Sequence, residues 1–319
     1  MPNLPQSAAD FDATQRRISE QVIEEIAKQW GSLPPSDFDA WFGRNSDRLV
    51  RTTAMGQRAA VAGADRYVDD ALEEQGTPSR RLATPQPERL VGVASDGRTI
   101  EGLLQQAVVG AQQRVAAGEA PYRAWQAAGL DVRLYIQTQL ADAGRTATGL
   151  GIVSRLGVGY VRMLVPPSCS RCVVLAGRYY HWSAGFRRHP GCNCKHIPCR
   201  EKNSDDMRTD PQAYFNSLPA AEQRRIFGAA GAQAVRDGAD LSQVVNARRG
   251  LTITGGRAQR TEVMGRRLLT TTEGTTRRGV AGRRRGAARA PRLMPEAIYE
   301  LAESREAAIE LLRQHGYIQ

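Results

Sequence analysis

All five cysteines and three of the four histidines of this chain lie within 31 residues, from Cys169 to Cys199. The segment begins with a C-x2-C pair and ends with a closely spaced group of further Cys and His residues. Two thiolates separated by two residues can face one metal ion across a tight turn, and a second pair from a distant turn can complete a tetrahedron. The spacing therefore predicts a structural zinc site.

The candidate ligands follow from this spacing. We predict that zinc is bound by ligands drawn from Cys169, Cys172, His189, Cys192 and Cys194, with His196 and Cys199 as additional nearby groups. Buried reduced thiols and disulfides are the alternatives. Disulfide frameworks are typical of secreted proteins, and no secretory signal precedes this cluster. The pattern favours a metal, and the choice of four ligands among the candidates stays open.

The sequence favours a catalytic site at this cluster less than a structural one. A hydrolytic zinc site usually works with a nearby carboxylate as general base, but no Asp or Glu lies between Cys169 and Cys199. A cysteine nucleophile needs a histidine with an orienting partner, and an acidic partner is missing from the same stretch. The sequence therefore favours a structural role for the metal.

The composition limits the class of protein. The chain has 319 residues, which is enough for two modest domains, and 41% of them are hydrophobic. No apolar run approaches the length of a membrane-spanning helix. We therefore expect a soluble protein without a membrane anchor or a membrane partner.

Positive charge is concentrated near the C-terminus. The stretch from Arg257 to Arg292 holds eleven Arg and two Glu, a balance of +9 within a total of +11. It contains few large apolar residues, so we expect a flexible basic arm that contacts nucleic-acid phosphates or an acidic partner. The candidate contacts are Arg277, Arg278, Arg283, Arg284 and Arg285. A solvated linker that binds nothing specific is the alternative.

Apolar periodicity predicts a mostly helical α+β protein. Helical spacing dominates the first half, and Tyr160–Val165 and Val173–Leu175 are strand candidates beside the cysteines. The predicted organisation is an N-terminal helical hairpin (1–76), a linker (77–90), a helical region (91–156), a domain with the zinc site and following helices (157–250), the basic arm (251–293) and a C-terminal helix (294–319).

The central motifs also resemble a known family. Cys169 and Cys172, then Gly177 and Arg178, then the run H-P-G-C-N-C from His189 to Cys194, resemble the phage Mu F-like head morphogenesis proteins. Outside this region, D-P-Q-A-Y-F near 210 and R-L-M-P-E-A-I-Y near 292 are similar to minor head proteins of actinobacteriophages, encoded next to the portal gene. Two positions depart from the Mu F pattern: Ala176 replaces a common Asp, and Asn193 replaces a usual Arg.

This resemblance implies a structural role in head assembly. The expected protein is a minor component inside the head, near the portal, that assists head morphogenesis and DNA packaging or ejection. Its implied partners are the portal, the major capsid or scaffold protein, and packaged DNA. Its implied location is the virion, and the host cytoplasm during assembly. Similar proteins are often labelled capsid maturation proteases; His181 with Ser183 is the weak candidate pair for that alternative, with no acidic residue close in sequence.

Overall fold

The structure is a computed structural model that describes residues 4–185, 188–189, 191–248, 258–263, 265–276, 279–285 and 290–318. These residues form two compact units. The N-terminal unit contains the residues up to Pro166 together with Arg178–Arg208, and the C-terminal unit contains Pro167–Gly177 and the described residues from Thr209 onward. Helices dominate and the strands form two small antiparallel sheets, which confirms the predicted α+β fold class.

Five helices build the N-terminal unit: α1 Gln6–Trp30, α2 Phe38–Val61, α3 Ala64–Glu74, α4 Ile100–Ala116 and α5 Pro121–Val153. Asp37 begins α2 by accepting a hydrogen bond from the Ala40 backbone N–H. The segment 1–76, predicted as a hairpin, forms three helices. The second and third are separate because Gly63 adopts a left-handed conformation between them, with φ of 76°.

Aromatic side chains fill the core between these helices. The rings of Trp30 and Trp125 stack with centroids 4.2 Å apart, and Trp41 meets Trp125 edge-on at 4.8 Å. Trp125 is completely buried. Such pairs add to the stabilisation that comes from burying their surface. The sequence pattern indicates core positions for the Trp residues of these helices, and the burial of Trp30 and Trp125 agrees with it.

Helix α5 is longer than the sequence pattern predicts. Apolar spacing predicts a long helix over 131–155 with its glycines as candidate break points, and in the structure the helix runs through them without interruption. Two of these glycines mark close packing instead. A Cβ at Gly144 would lie 2.5 Å from Gln15 Oε1, and one at Gly151 would lie 2.9 Å from a methyl of Val68. Small residues therefore let α1 and α3 approach this helix.

A three-stranded antiparallel sheet completes the N-terminal unit. It contains β1 Gly159–Met163, β2 Tyr179–Tyr180 and β3 Lys195–Cys199 in the order β2-β1-β3. Strand β1 pairs with β3 along its whole length, from Gly159 opposite Cys199 to Met163 opposite Lys195. The strand predicted over 160–165 is thus confirmed.

The C-terminal unit is built mainly from short helices: α6 Ser170–Ala176, α7 Pro211–Ser217, α8 Ala220–Phe227, α9 Ala229–Arg236, α10 Leu241–Ala247, α11 Val280–Arg285, α12 Pro295–Leu301 and α13 Arg305–Gln314. The strand predicted over Val173–Leu175 is wrong, because these residues belong to α6. The helix predicted from Ala221 to Asp237 is two helices, separated at Gly228 with φ of 76°. The last predicted helix is also two, because Ser304 caps a new helix at Arg305.

The segment predicted as a flexible basic arm contains regular structure in its described part. It holds α11 and three strands, β4 Ala258–Val263, β5 Arg266–Thr271 and β6 Arg292–Leu293, paired in the order β4-β5-β6. Leu268 and Leu293 are buried. Arg292 is fully buried, with its guanidinium 4.3 Å from the centre of the Tyr317 ring. High charge and few large apolar residues are therefore a poor guide to flexibility here, because an arginine can pack inside a unit against an aromatic ring.

The structure describes only some of the arginines that were predicted to contact nucleic acid or an acidic partner. Arg283 is exposed on α11. Arg277 and Arg278 lie outside the described residues, as do the side chains of Arg284 and Arg285. Across the described part of the chain, none of the helices has the length and apolar character needed to cross a membrane.

Candidate metal centre

Helix α6 positions the first two candidate ligands. Cys169 is the residue that caps the helix, with extended backbone angles, and its sulfur accepts a hydrogen bond from the Cys172 backbone N–H at 3.4 Å. Cys172 is buried in the first turn, and Cys169 is half-buried. The C-x2-C spacing therefore corresponds to a cap and the first helical turn, a local arrangement that brings both thiols to the start of one helix.

The other candidate ligands lie in the loop between β2 and β3. Cys192 and Cys194 are buried, and His189 is exposed. The Cys192 backbone N–H donates to the His189 carbonyl at 3.1 Å, which closes a turn. The dipeptide Pro190-Gly191 predicts a sharp reversal of the chain, and Gly191 supplies it with φ of 71°. Pro190, the other predicted turn residue, lies outside the described residues.

Sulfur and imidazole donors of these five residues form two overlapping groups. One comprises Cys169, Cys172 and His189, and the other comprises Cys172, Cys192 and Cys194. Within each group the candidate donor atoms all lie within 4.8 Å of one another. A Cys/His cluster that could hold a metal ion is therefore present, and Cys172 belongs to both groups.

The chemistry of the donors fits zinc. Thiolate and imidazole are the usual ligands of structural zinc, and a zinc–sulfur bond is about 2.3 Å long, so two ligands of one ion lie within roughly 4.6 Å. Thiolate-rich donor sets disfavour magnesium and calcium, which take oxygen ligands. None of the five cysteines forms a disulfide. The donor set thus suits a soft ion such as zinc better than magnesium or calcium.

His196 and Cys199 lie on β3 and belong to neither group. Burial, together with the nearby charges of Arg145 and Arg162, lowers the pKa of His196 to about 3, so its ring is neutral at pH 7. The ring packs edge-on against Tyr160, with centroids 4.3 Å apart. Burial raises the pKa of the Cys199 thiol to about 12, so it stays protonated. Both residues are core groups of the N-terminal unit.

A family comparison extends this description. The model of the VG15 protein family matches residues 3–221, which is more than half of the chain. The chain belongs to the VG15 family. This is a family of viral proteins. Searches of curated proteins and of solved structures found no match.

The VG15 match covers helices α1 to α7, the first sheet and all five cysteines. It ends at residue 221, so the strongly basic stretch from Arg257 to Arg292 lies outside it. The cysteine cluster therefore lies within the region that the VG15 family model matches.

Sequence reasoning missed two residues that contact the cysteine loop of this VG15 protein. Arg145 and Asp142, both buried on α5, form an ion pair of 2.6 Å. Arg145 also donates hydrogen bonds to the carbonyl oxygens of Cys192 and Cys194, at 2.7 and 3.1 Å. Arg145 is separated from Cys192 by 47 positions and from Cys194 by 49, and no local sequence motif predicts contacts at such separations. Only charged residues at core positions of a helical pattern could have indicated a special role.

Proposed function

We propose that this chain is a minor head protein of a bacteriophage that acts in head morphogenesis near the portal. The VG15 family match carries the proposal, because it assigns residues 3–221 to a family of viral proteins. The likeness of the C-S-R-C and H-P-G-C-N-C motifs to Mu F-like head morphogenesis proteins supports the head as the site of action.

In this proposal the Cys/His cluster binds one structural zinc ion. Zinc would be held by four of the five residues Cys169, Cys172, His189, Cys192 and Cys194. The ion supplies a covalent-like cross-link and folding free energy, because ligands that are apart in the unfolded chain must come together to bind it. The soft donors and the burial of three of the cysteines support this assignment.

The proposed partners are the portal, the major capsid or scaffold protein, and packaged DNA. The concentration of arginine in 257–292 supports contact with DNA or with an acidic protein surface. Arg283, exposed on α11, is the described member of the candidate contacts. Binding to DNA through phosphates would weaken steeply as salt rises, and Arg283→Ala would reduce that salt dependence.

The capsid maturation protease remains the alternative function. His181 and Ser183 are both exposed, and in the part of the chain that the structure describes no hydrogen bond joins His181 to Ser183 or to a carboxylate. A serine protease orients its histidine with an acid and hydrogen-bonds it to the nucleophile. His181→Ala should therefore leave capsid processing unchanged, whereas a protease that uses His181 would lose it.

The head-protein proposal is tested in a phage that encodes this chain. Deleting the gene should leave tails intact but reduce DNA-filled heads in electron micrographs of lysates. Complementation with the wild-type gene should restore filled heads, and mass spectrometry of purified virions should detect the protein. Normal numbers of filled, infectious heads in the deletion strain would contradict the proposal.

A further inference from the structure

Helix α5 presents a polar stripe to the cysteine loop. Thr138, Asp142 and Arg145 are spaced by four and then three residues, which places them on one face of the helix. The loop that receives these side chains connects β2 to β3 and carries His189, Cys192 and Cys194. Both the stripe and this loop belong to the N-terminal unit.

Asp142 is the centre of the contacts. Its side chain is 3% exposed, and one oxygen accepts from Arg145 Nη2 at 2.6 Å. Its other oxygen forms an ion pair with Arg188, the residue before His189. One buried carboxylate thus binds a cation of the loop directly and also orients the Arg145 guanidinium.

Arg145, held by Asp142, also binds the loop backbone. With Nη2 on Asp142, Nη1 donates to the carbonyl oxygens of both Cys192 and Cys194. One residue away, the Gly191 N–H donates to Thr138 Oγ1 at 3.4 Å. The described residues of the loop 188–194 contain no helix or strand. Side-chain hydrogen bonds therefore satisfy backbone N–H and C=O groups that would be paired with other backbone groups in a helix or sheet.

The charges also suit a metal bound by thiolates. Arg145 and Arg188 carry two positive charges against the single negative charge of Asp142. A zinc ion with three or four thiolates has a net negative charge, so a surplus cation beside the loop offsets it.

We propose that Asp142 and Arg145 are positioning residues for the candidate metal centre. They fix the carbonyl groups of Cys192 and Cys194, and thereby the direction of both thiols, before the ion binds. This inference rests on the proposed zinc site, since it concerns how that site is prepared. Residues that orient metal ligands typically change metal affinity by about 10- to 100-fold when they are mutated.

The test compares two buried arginines. Arg145→Lys keeps the charge but loses the planar fork that binds Asp142 and two carbonyls at once. Arg155→Lys is the matched control: Arg155 follows α5, its side chain is fully buried, and it binds Asp65, Asp69 and the Gly151 carbonyl. Asp142→Asn is a milder second variant for the case in which Arg145→Lys fails to fold, as judged by circular dichroism.

Two measurements on the full-length protein separate the outcomes. Zinc affinity, from competition with a chromophoric chelator, should fall about 10- to 100-fold in Arg145→Lys and change less than about threefold in Arg155→Lys. In zinc-free protein, Cys192 and Cys194 should be alkylated faster in Arg145→Lys than in the wild type or in Arg155→Lys.

Each failure has a distinct meaning. Zinc binding by the wild type with equal affinity in Arg145→Lys would overturn the positioning role and leave the zinc proposal intact. A wild-type protein that binds no zinc would overturn the zinc proposal and, with it, a role in positioning metal ligands. Equal alkylation rates in all variants would overturn the ordering of the loop by Arg145.

Discussion

The two chain segments that carry the candidate ligands are held in place by different means. Cys169 and Cys172 lie at the start of α6, where the cap and first turn of a helix set their spacing. Cys192 and Cys194 lie in a loop whose backbone is bound by Arg145, a residue far away in sequence. Local backbone geometry positions the first pair, and long-range side-chain contacts position the second.

The largest effect is expected from the residue that both donor groups contain. Cys172→Ser should reduce zinc from about one ion per chain to nearly none, because it removes a ligand from each group. Cys199→Ser is the control, since its thiol is buried, protonated and outside both groups. Elemental analysis of both purified variants checks this, and equal zinc loss in the two would contradict the donor assignment.

A smaller effect is expected from straining the turn in the cysteine loop. Gly191 has φ of 71°, a region that costs an L-residue about 1–2 kcal/mol, so Gly191→Ala should lower zinc affinity roughly tenfold. Among the residues that the structure describes, a Cβ at Gly191 meets Leu134 alone, at the ordinary contact distance of 3.5 Å, so the expected cost comes from backbone strain and not from a clash.

Gly185→Ala provides the comparison for this turn. In the same loop, a Cβ at Gly185 would meet none of the described residues within 4 Å, and the φ of Gly185 lies outside the left-handed region. Its zinc affinity, measured by the same chelator competition, should equal that of the wild type. A Gly191→Ala protein with unchanged affinity would show that loop geometry does not control the metal.

The smallest effect is expected at the ion pairs that Arg155 forms with Asp65 and Asp69. The hydrogen bond from Arg155, opposed by burial, lowers the pKa of Asp69 below its usual value. A lowered folded pKa stabilises the protein above the unfolded carboxyl pKa, about 3.9, and this contribution disappears as the pH falls through the folded value. Asp69→Asn should therefore cost less than about 1 kcal/mol at pH 7.

Thermal melts between pH 7 and pH 2 check this prediction. The difference between wild type and Asp69→Asn should shrink to nothing at the acid end, and the zinc content at pH 7 should be the same in both. A difference that grows on acidification would contradict the sign, and a loss of zinc would mean that the two regions are not independent.

Sequence periodicity predicted the features that interactions between residues close in sequence determine. Residue types and spacing indicate Ser36 or Asp37 as the cap of the second helix, a strand over 160–165 and tryptophans in the core. The structure has Asp37 as the cap, a strand at 159–163 and Trp125 fully buried. The same holds for the candidate ligands, whose residue types and spacing are visible in one short segment. Short-range patterns carry such features because their causes lie within a few residues.

Features that depend on tertiary contacts were not predicted from the sequence. The glycines of α5 are candidate break points in the sequence, but Gly144 and Gly151 allow other helices to approach. The arginine-rich stretch predicted a flexible arm, yet Arg292 is buried against Tyr317. The role of Arg145 was not predicted for the same reason, since its partners Cys192 and Cys194 are distant in sequence. In each case the deciding neighbour came from another part of the chain.

In our proposal the Cys/His cluster is a structural zinc site. The most direct measurement is the metal content, by elemental mass spectrometry, of wild type and of the Cys169→Ser, Cys172→Ser double variant, each purified without chelator and followed by a thermal melt. We predict stoichiometric zinc in the wild type, and loss of both zinc and cooperative unfolding at the original temperature in the variant. A metal-free wild type, together with a variant that melts as the wild type does, would contradict the account.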